Sequence, residues 1–239
     1  MMPYYGYGYG YYFDPTYILV LIGFILCMAA SAKVNSTYSK YSRVRSMTGM
    51  TGAQAAERIL AYAGIRDVRI EHVSGNLTDH YDPRSKVIRL SDATYSSPSV
   101  AAVGVAAHEC GHVLQHYEGY APLKIRTALV PAANIGSRLG IPLILIGLLL
   151  GPMNGLIVNI GILIFCLAVL FQLVTLPVEY NASHRAVQIL DRQGILAGAE
   201  VGQCRKVLNA AALTYVAAAA SSVLQLLRLV LLFGGRRDD

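Results

Sequence analysis

Apolar and polar stretches alternate along the chain on a scale far longer than one helical or strand repeat. Residues 16–32, TYILVLIGFILCMAASA, are uncharged and about the minimum length of a transmembrane helix. Residues 33–127 are polar overall. Two further apolar blocks, 139–152 and 156–178, are joined by GPMNG, which reads as a tight hairpin. The first reaches spanning length only if it begins upstream near Ala128 and passes Arg138. Residues 179–209 are polar again, and 210–233 form a fourth apolar block carrying Gln225 and Arg228. The expected organisation is therefore a tail (1–15), a transmembrane helix (16–32), a polar unit (33–127) and a transmembrane hairpin (128–178). A second polar helical segment (179–209) and a transmembrane or re-entrant helix with its tail (210–239) complete it.

Shorter periodicities place elements inside the polar unit. Thr51 can cap a helix running to about Ala63, with Ala55, Ile59, Leu60 and Ala63 on one face and Gly64 ending it. DVRIEHV and KVIRLSD read as short strands of a small sheet edge, separated by turn-rich sequence that includes Asp82-Pro83. Ser97-Pro98-Ser99 opens a helix, with proline in the first turn, that continues to about Tyr117; Gly119 and Pro122 follow.

Composition turns this layout into a class. With 54% hydrophobic and 14% charged residues in 239, and a mean hydropathy of +0.45, the chain is too apolar for an ordinary soluble domain. A mainly α, polytopic membrane protein with a small α+β domain on the cytosolic side is the expected fold. The net charge of +6 does not point to nucleic acid, because in such a protein basic residues mark the cytoplasmic side. Lys33, Lys40, Arg43 and Arg45 follow the first span and nothing basic precedes it, which puts the N-terminus outside and the polar unit inside. Arg185, Arg192, Arg205 and Lys206 agree; Arg236 and Arg237 do not, hence the open choice between a spanning and a re-entrant last block. The Tyr/Gly-rich start lacks the basic residues of a cleavable leader, and the four cysteines form no disulfide or CxxC pattern.

The chemistry lies in VAAHECGHVLQHYEG, residues 105–119. On a helix His108 and His112 stack on one face about 6 Å apart, within reach of one metal ion. Glu109 is turned about 100° away, where its carboxylate can take a proton from a water as a general base. HExxH is the pattern of zinc metalloproteases. Zinc suits two imidazoles and a carboxylate with one position left for water. Gly104, Ala106, Ala107 and Gly111 are small enough to admit a second helix, and Cys110 points away from the histidine face.

A third ligand must come from elsewhere. His116 lies about 12 Å along the axis from His108, and Gln115 and Glu118 stand where a longer HExxHxxGxxH pattern needs Gly and His. Glu118 is too near in sequence, and Glu200 and Asp191 sit in unremarkable polar helix. Glu179 differs: it ends the third apolar block in FQLVTLPVEYNASHRA, on the side of the membrane that carries the His helix, where Pro177 can break the span. The residues alone leave open that it is a solvated acid at a helix end.

HECGH on a polar helix, a transmembrane hairpin and then VEYNASHRA resemble the YugP-type neutral zinc metallopeptidases, distant relatives of the HtpX and CAAX prenyl proteases. The resemblance covers nearly the whole chain. It implies a gluzincin of a bacterial plasma membrane whose small α+β unit, 33–127, is a zincin-like cytosolic catalytic domain, in which His108, His112 and Glu179 bind Zn²⁺ and Glu109 is the base. The expected partners are a protein or peptide substrate, the lipid bilayer and other membrane proteins. In the HtpX pattern an Asp follows the glutamate by four residues; here that position is Ser183. Tyr180, His184 and Tyr215 are equal candidates to stabilise an oxyanion. Two other readings are a site-2-type intramembrane protease, for which Asp191 lies outside any span, and a non-catalytic membrane scaffold.

Overall fold

A computed structural model describes residues 14–150 and 155–233; residues 1–13, residues 151–154 of the GPMNG turn and residues 234–239 lie outside the described residues. Helix α1 spans Tyr17–Tyr41. It outruns the expected span because no Gly or Pro interrupts residues 33–41, and Tyr38 and Tyr41 pack with Ala101 and Val207. What reads as a basic linker is thus the polar end of the same helix.

Helix α2, Gly52–Tyr62, begins with a capping box in which the Thr51 hydroxyl accepts from the Gln54 backbone and the Gln54 side chain accepts from the Thr51 backbone. Ala55, Ile59 and Leu60 are buried as the periodicity requires, whereas Ala63 is the exposed C-cap. Gly64 follows at φ 70, a conformation open to glycine. Strands β1 (Arg69–Val73), β2 (His80–Asp82) and β3 (Val87–Ser91) form one sheet in the order β1-β3-β2. β1 runs parallel to β3, and β2 antiparallel to it. β2 arises in the stretch read as turns; three residues are too few to carry a periodic signal.

Helix α3, Val100–Tyr117, is capped by Ser99, which accepts from Ala102 N at 3.2 Å; Pro98 therefore precedes the cap instead of occupying the first turn. Its Val103, Ala106, Ala107, Cys110 and Val113 pack with Ile59 of α2, Ile88 and Leu90 of β3, and a segment further along the chain. That segment is α5, Gly155–Arg192, which contributes Ala186 and Leu190. Pro177 lies inside α5 without ending it, so the third apolar block and the start of the second polar segment are one helix of about 57 Å. Gly194 and Gly198, at φ 58 and 56, turn the chain into α6, Ala199–Phe233.

Helix α4, Ala121–Leu149, begins at the end of the polar unit, which resolves the shortness of the second apolar block. The structure is mostly helical, and α1, α4, α5 and α6 are each long and apolar enough to cross a membrane. α4 and α5 meet through glycines: a Cβ on Gly136 would lie 2.7 Å from Ile164 O, and one on Gly140 3.0 Å from Phe165 Cβ. α1 and α6 meet at Gly23 and Ser221. Arg228, inside the last apolar block, reaches Asp14 at 3.2 Å and lies 4.1 Å from the centre of the Tyr17 ring. α6 runs unbroken to Phe233.

Candidate metal centre

Capping and core packing fix α3, and α3 fixes its histidines. The rings of His108 and His112 sit edge to face with centroids 4.7 Å apart, one turn from each other on the face away from Cys110. Cys110 is wholly buried, its Sγ 3.8 Å from Ala56 O, and burial pushes its thiol pKa well up. Glu109, 7% exposed, lines the same cleft as the two histidines.

The small residues of α3 admit α5. A Cβ on Gly111 would lie 2.5 Å from Ala182 O and 3.0 Å from Ala182 C and Cα, so only glycine lets the two backbones approach this closely. That contact delivers Glu179, 2% exposed, whose Oε2 lies 3.3 Å from His108 Nε2 and 3.6 Å from His112 Nε2. Arg126 of α4 approaches the other oxygen, with Nη2 3.7 Å from Oε1.

Hydrogen bonds settle the direction of the rings. Gln115, wholly buried, donates through Nε2 to Val178 O at 2.8 Å and Asn181 Oδ1 at 3.0 Å, and Asn181 Oδ1 also accepts from Arg185 Nε at 2.7 Å. The amide orientation is thereby fixed, and Gln115 Oε1 is left to accept from His112 Nδ1 at 3.1 Å. A proton on Nδ1 leaves a lone pair on Nε2, the atom that faces Glu179. His108 Nδ1 is 3.1 Å from the hydroxyl of Ser183, the residue at the position where the HtpX pattern has an Asp. A serine thus supports this ring where a carboxylate was the expectation for that pattern.

The donor set fits a divalent cation. Two imidazole nitrogens and a carboxylate oxygen, all within 4.8 Å of one another, converge, and Glu179 Oε2 is buried with no hydrogen-bond partner. Ligands about 2.0–2.1 Å from a tetrahedral zinc ion stand about 3.3 Å apart, close to the two distances observed. Burial works to lower the His112 pKa, but the neighbouring carboxylates of Glu179 and Glu109 outweigh it and hold it above the ordinary imidazole value. The pocket favours positive charge.

Other residues weighed in the sequence fall elsewhere. His116 stays out of the cluster and is 2.9 Å from the Tyr81 hydroxyl on β2. Glu118 pairs with Arg185 at 2.6 Å, and Asp191 is exposed. Glu200 is buried and accepts from Met47 N and Ala197 N at 2.7 and 3.2 Å, a tie between chain segments that its polar neighbours hid. Of the three aromatic or imidazole candidates for an oxyanion, Tyr215 lines the cleft, while Tyr180 borders a different groove and His184 is exposed. Sequence reasoning missed Gln115 and Arg126. The first is a polar residue about one turn after His112 on the same face of α3; the second is a charge where α4 turns apolar. The cleft in front of the cluster has a volume of about 750 Å³ and is bordered by Tyr81 of β2, Tyr120 and Arg126.

Residues 16–234 match the family described as "Putative neutral zinc metallopeptidase". A curated relative, "Putative membrane protease YugP" of Bacillus subtilis (strain 168), is 49% identical over 210 residues, covering 88% of this chain and 92% of the relative. No solved structure matches.

Proposed function

The chain belongs to this family of neutral zinc metallopeptidases, and on that premise we propose that it is a membrane-bound endopeptidase of the gluzincin type. In this reading His108, His112 and Glu179 hold Zn²⁺, Glu109 is the general base, and the substrates are membrane or membrane-proximal proteins. The observation that carries it is the convergence of three potential ligand atoms, one from each of His108, His112 and Glu179, within 4.8 Å of one another, with Glu179 Oε2 buried and without a hydrogen-bond partner. When bound there, zinc supplies Lewis acidity toward a carbonyl and acidifies a water in the open position. Glu109, in the same cleft, would take a proton from the attacking water and pass it to the departing amine. Gln115 and Ser183 keep the rings from rotating. Tyr215, whose side chain lines the cleft, is the group best situated to donate to a developing oxyanion.

Strand β2 is the sheet edge beside the cleft, so a substrate segment can lie extended along it by strand addition, with cleavage inside the segment. The catalytic unit comprises 33–127 and the polar part of 179–209, and it faces the cytoplasm. Support for that orientation comes from Lys33, Lys40, Arg43 and Arg45, and from the pairing of Arg228 with Asp14, which offsets one basic residue at the opposite end. A site-2 arrangement is disfavoured because α3 is not among the helices able to span. Metal analysis alongside proteolysis tests the reading. Glu109→Gln keeps zinc and loses at least about a hundredfold in activity, whereas Glu179→Ala loses both and His116→Ala and Glu118→Ala keep zinc. Full zinc in Glu179→Ala would remove the gluzincin assignment.

A further inference from the structure

Apart from the cleft at the metal cluster, a groove of about 780 Å³ opens between α1 and α6, with Tyr180 of α5 at its border. α1 lines it with Lys33, Ser36, Thr37 and Lys40, and α6 with Lys206, Asn209, Ala210 and Leu213. Each set has the i, i+3, i+4, i+7 spacing of a single helix face. Two helical faces therefore look at each other across the groove, one wholly polar and the other passing from Lys206 to Leu213. No acidic residue lines it, and the ion pairs among the described residues include none of the three lysines. Lys40 has one aromatic neighbour, its Nζ 5.5 Å from the Tyr41 ring centre.

The level of the groove matters as much as its charge. α1 is apolar up to Ala32 and polar from Lys33; α6 is polar up to Asn209 and apolar from Ala210. Both helices change character at the groove, the depth at which lipid headgroups lie if these helices span. Tyr180 and Leu213 are exposed at its border, apolar surface of the kind acyl chains cover.

We propose that this groove binds the phosphate-bearing headgroup of an anionic phospholipid, with Lys33, Lys40 and Lys206 around the phosphate and Ser36, Thr37 and Asn209 as neutral hydrogen-bonding groups. The bilayer is the source, because the apolar rim continues onto the spanning faces of α5 and α6. The proposal is independent of the peptidase reading.

The experiment uses the full-length protein in phosphatidylcholine nanodiscs doped with phosphatidylglycerol, with retained phosphatidylglycerol counted by native mass spectrometry. Wild type keeps a phosphatidylglycerol that K33Q/K40Q/K206Q loses, with affinity falling on the order of a hundredfold, about fivefold per lysine. K206Q alone falls about fivefold, which keeps the test decisive should the triple variant fold poorly. R43Q/R66Q/R205Q removes equal charge from exposed positions outside the groove and retains the lipid. Equal loss in both triple variants would reduce the binding to diffuse surface attraction and overturn the site. Displacement of the lipid by millimolar inorganic phosphate would overturn the lipid assignment in favour of a free anion.

Discussion

Helix α5 is held by glycine contacts at both ends, and the two ends use them differently. Toward the hairpin, Gly136, Gly140 and Gly147 of α4 and Gly161 of α5 bring two apolar helices together, and those glycines meet only backbone and apolar side chains. Toward the polar unit, Gly111 of α3 meets the backbone at Ala182, and around it Gln115, Asn181 and Ser183 bridge the same two helices by hydrogen bonds. The first seam fixes a distance between helices; the second fixes both a distance and the facing direction of two rings. Close packing has many near-equivalent solutions when only apolar surface is at stake, but few when a carboxylate must meet two imidazoles at about 3.5 Å.

If that contrast is right, its largest consequence is at Gly111. Gly111→Val places a branched side chain against Ala182, separates α3 from α5 and withdraws Glu179, so zinc content and proteolysis fall together to background even if the hairpin still folds. Retained zinc would mean that the seam does not set the site. Next comes Gln115→Ala, which keeps the helices in contact but frees the His112 ring. Zinc affinity falls about 10–100-fold, read by competition with a chelator, and activity recovers when zinc is added in excess. Smallest is Gly140→Ala in the other seam, where a Cβ meets Phe165 at 3.0 Å. About 1–3 kcal/mol of stability is lost in detergent melts, while the folded fraction keeps its zinc affinity.

The same contrast separates what the sequence discloses from what it hides. Local chemistry was readable: the Thr51 and Ser99 caps, the Gly64 stop and the His108–His112 spacing each depend on neighbours within a turn or two. Gly104 and Gly111 announced that helices would approach α3, and Glu179 stood out because a span delivers it to the right side. Helix lengths were harder. Polarity predicts an end to α1 near Ala32, and Pro177 a break in α5, yet Tyr41 is anchored by Ala101 and Val207, and α5 runs through its proline with Thr175, Val178 and Glu179 buried around it. Gln115 and Arg126 gain their roles from residues more than fifty positions away, through contacts that no local pattern encodes. The parallel pairing of β1 with β3 is non-local in the same sense.

Because Glu179 lies on the far side of the hairpin, the centre is also ordered in time. Ribosomes complete the HExxH helix first, and 179 − 112 = 67 residues separate His112 from the third candidate ligand. At about 5–20 residues per second this is a delay of roughly 3–13 s, during which both hairpin arms must enter the bilayer before α5 can return. With the proposed ligand set, a nascent chain at this stage carries Glu109 and two imidazoles without the third ligand. Latency would then follow from chain order: the metal site closes only once the chain's own insertion is finished.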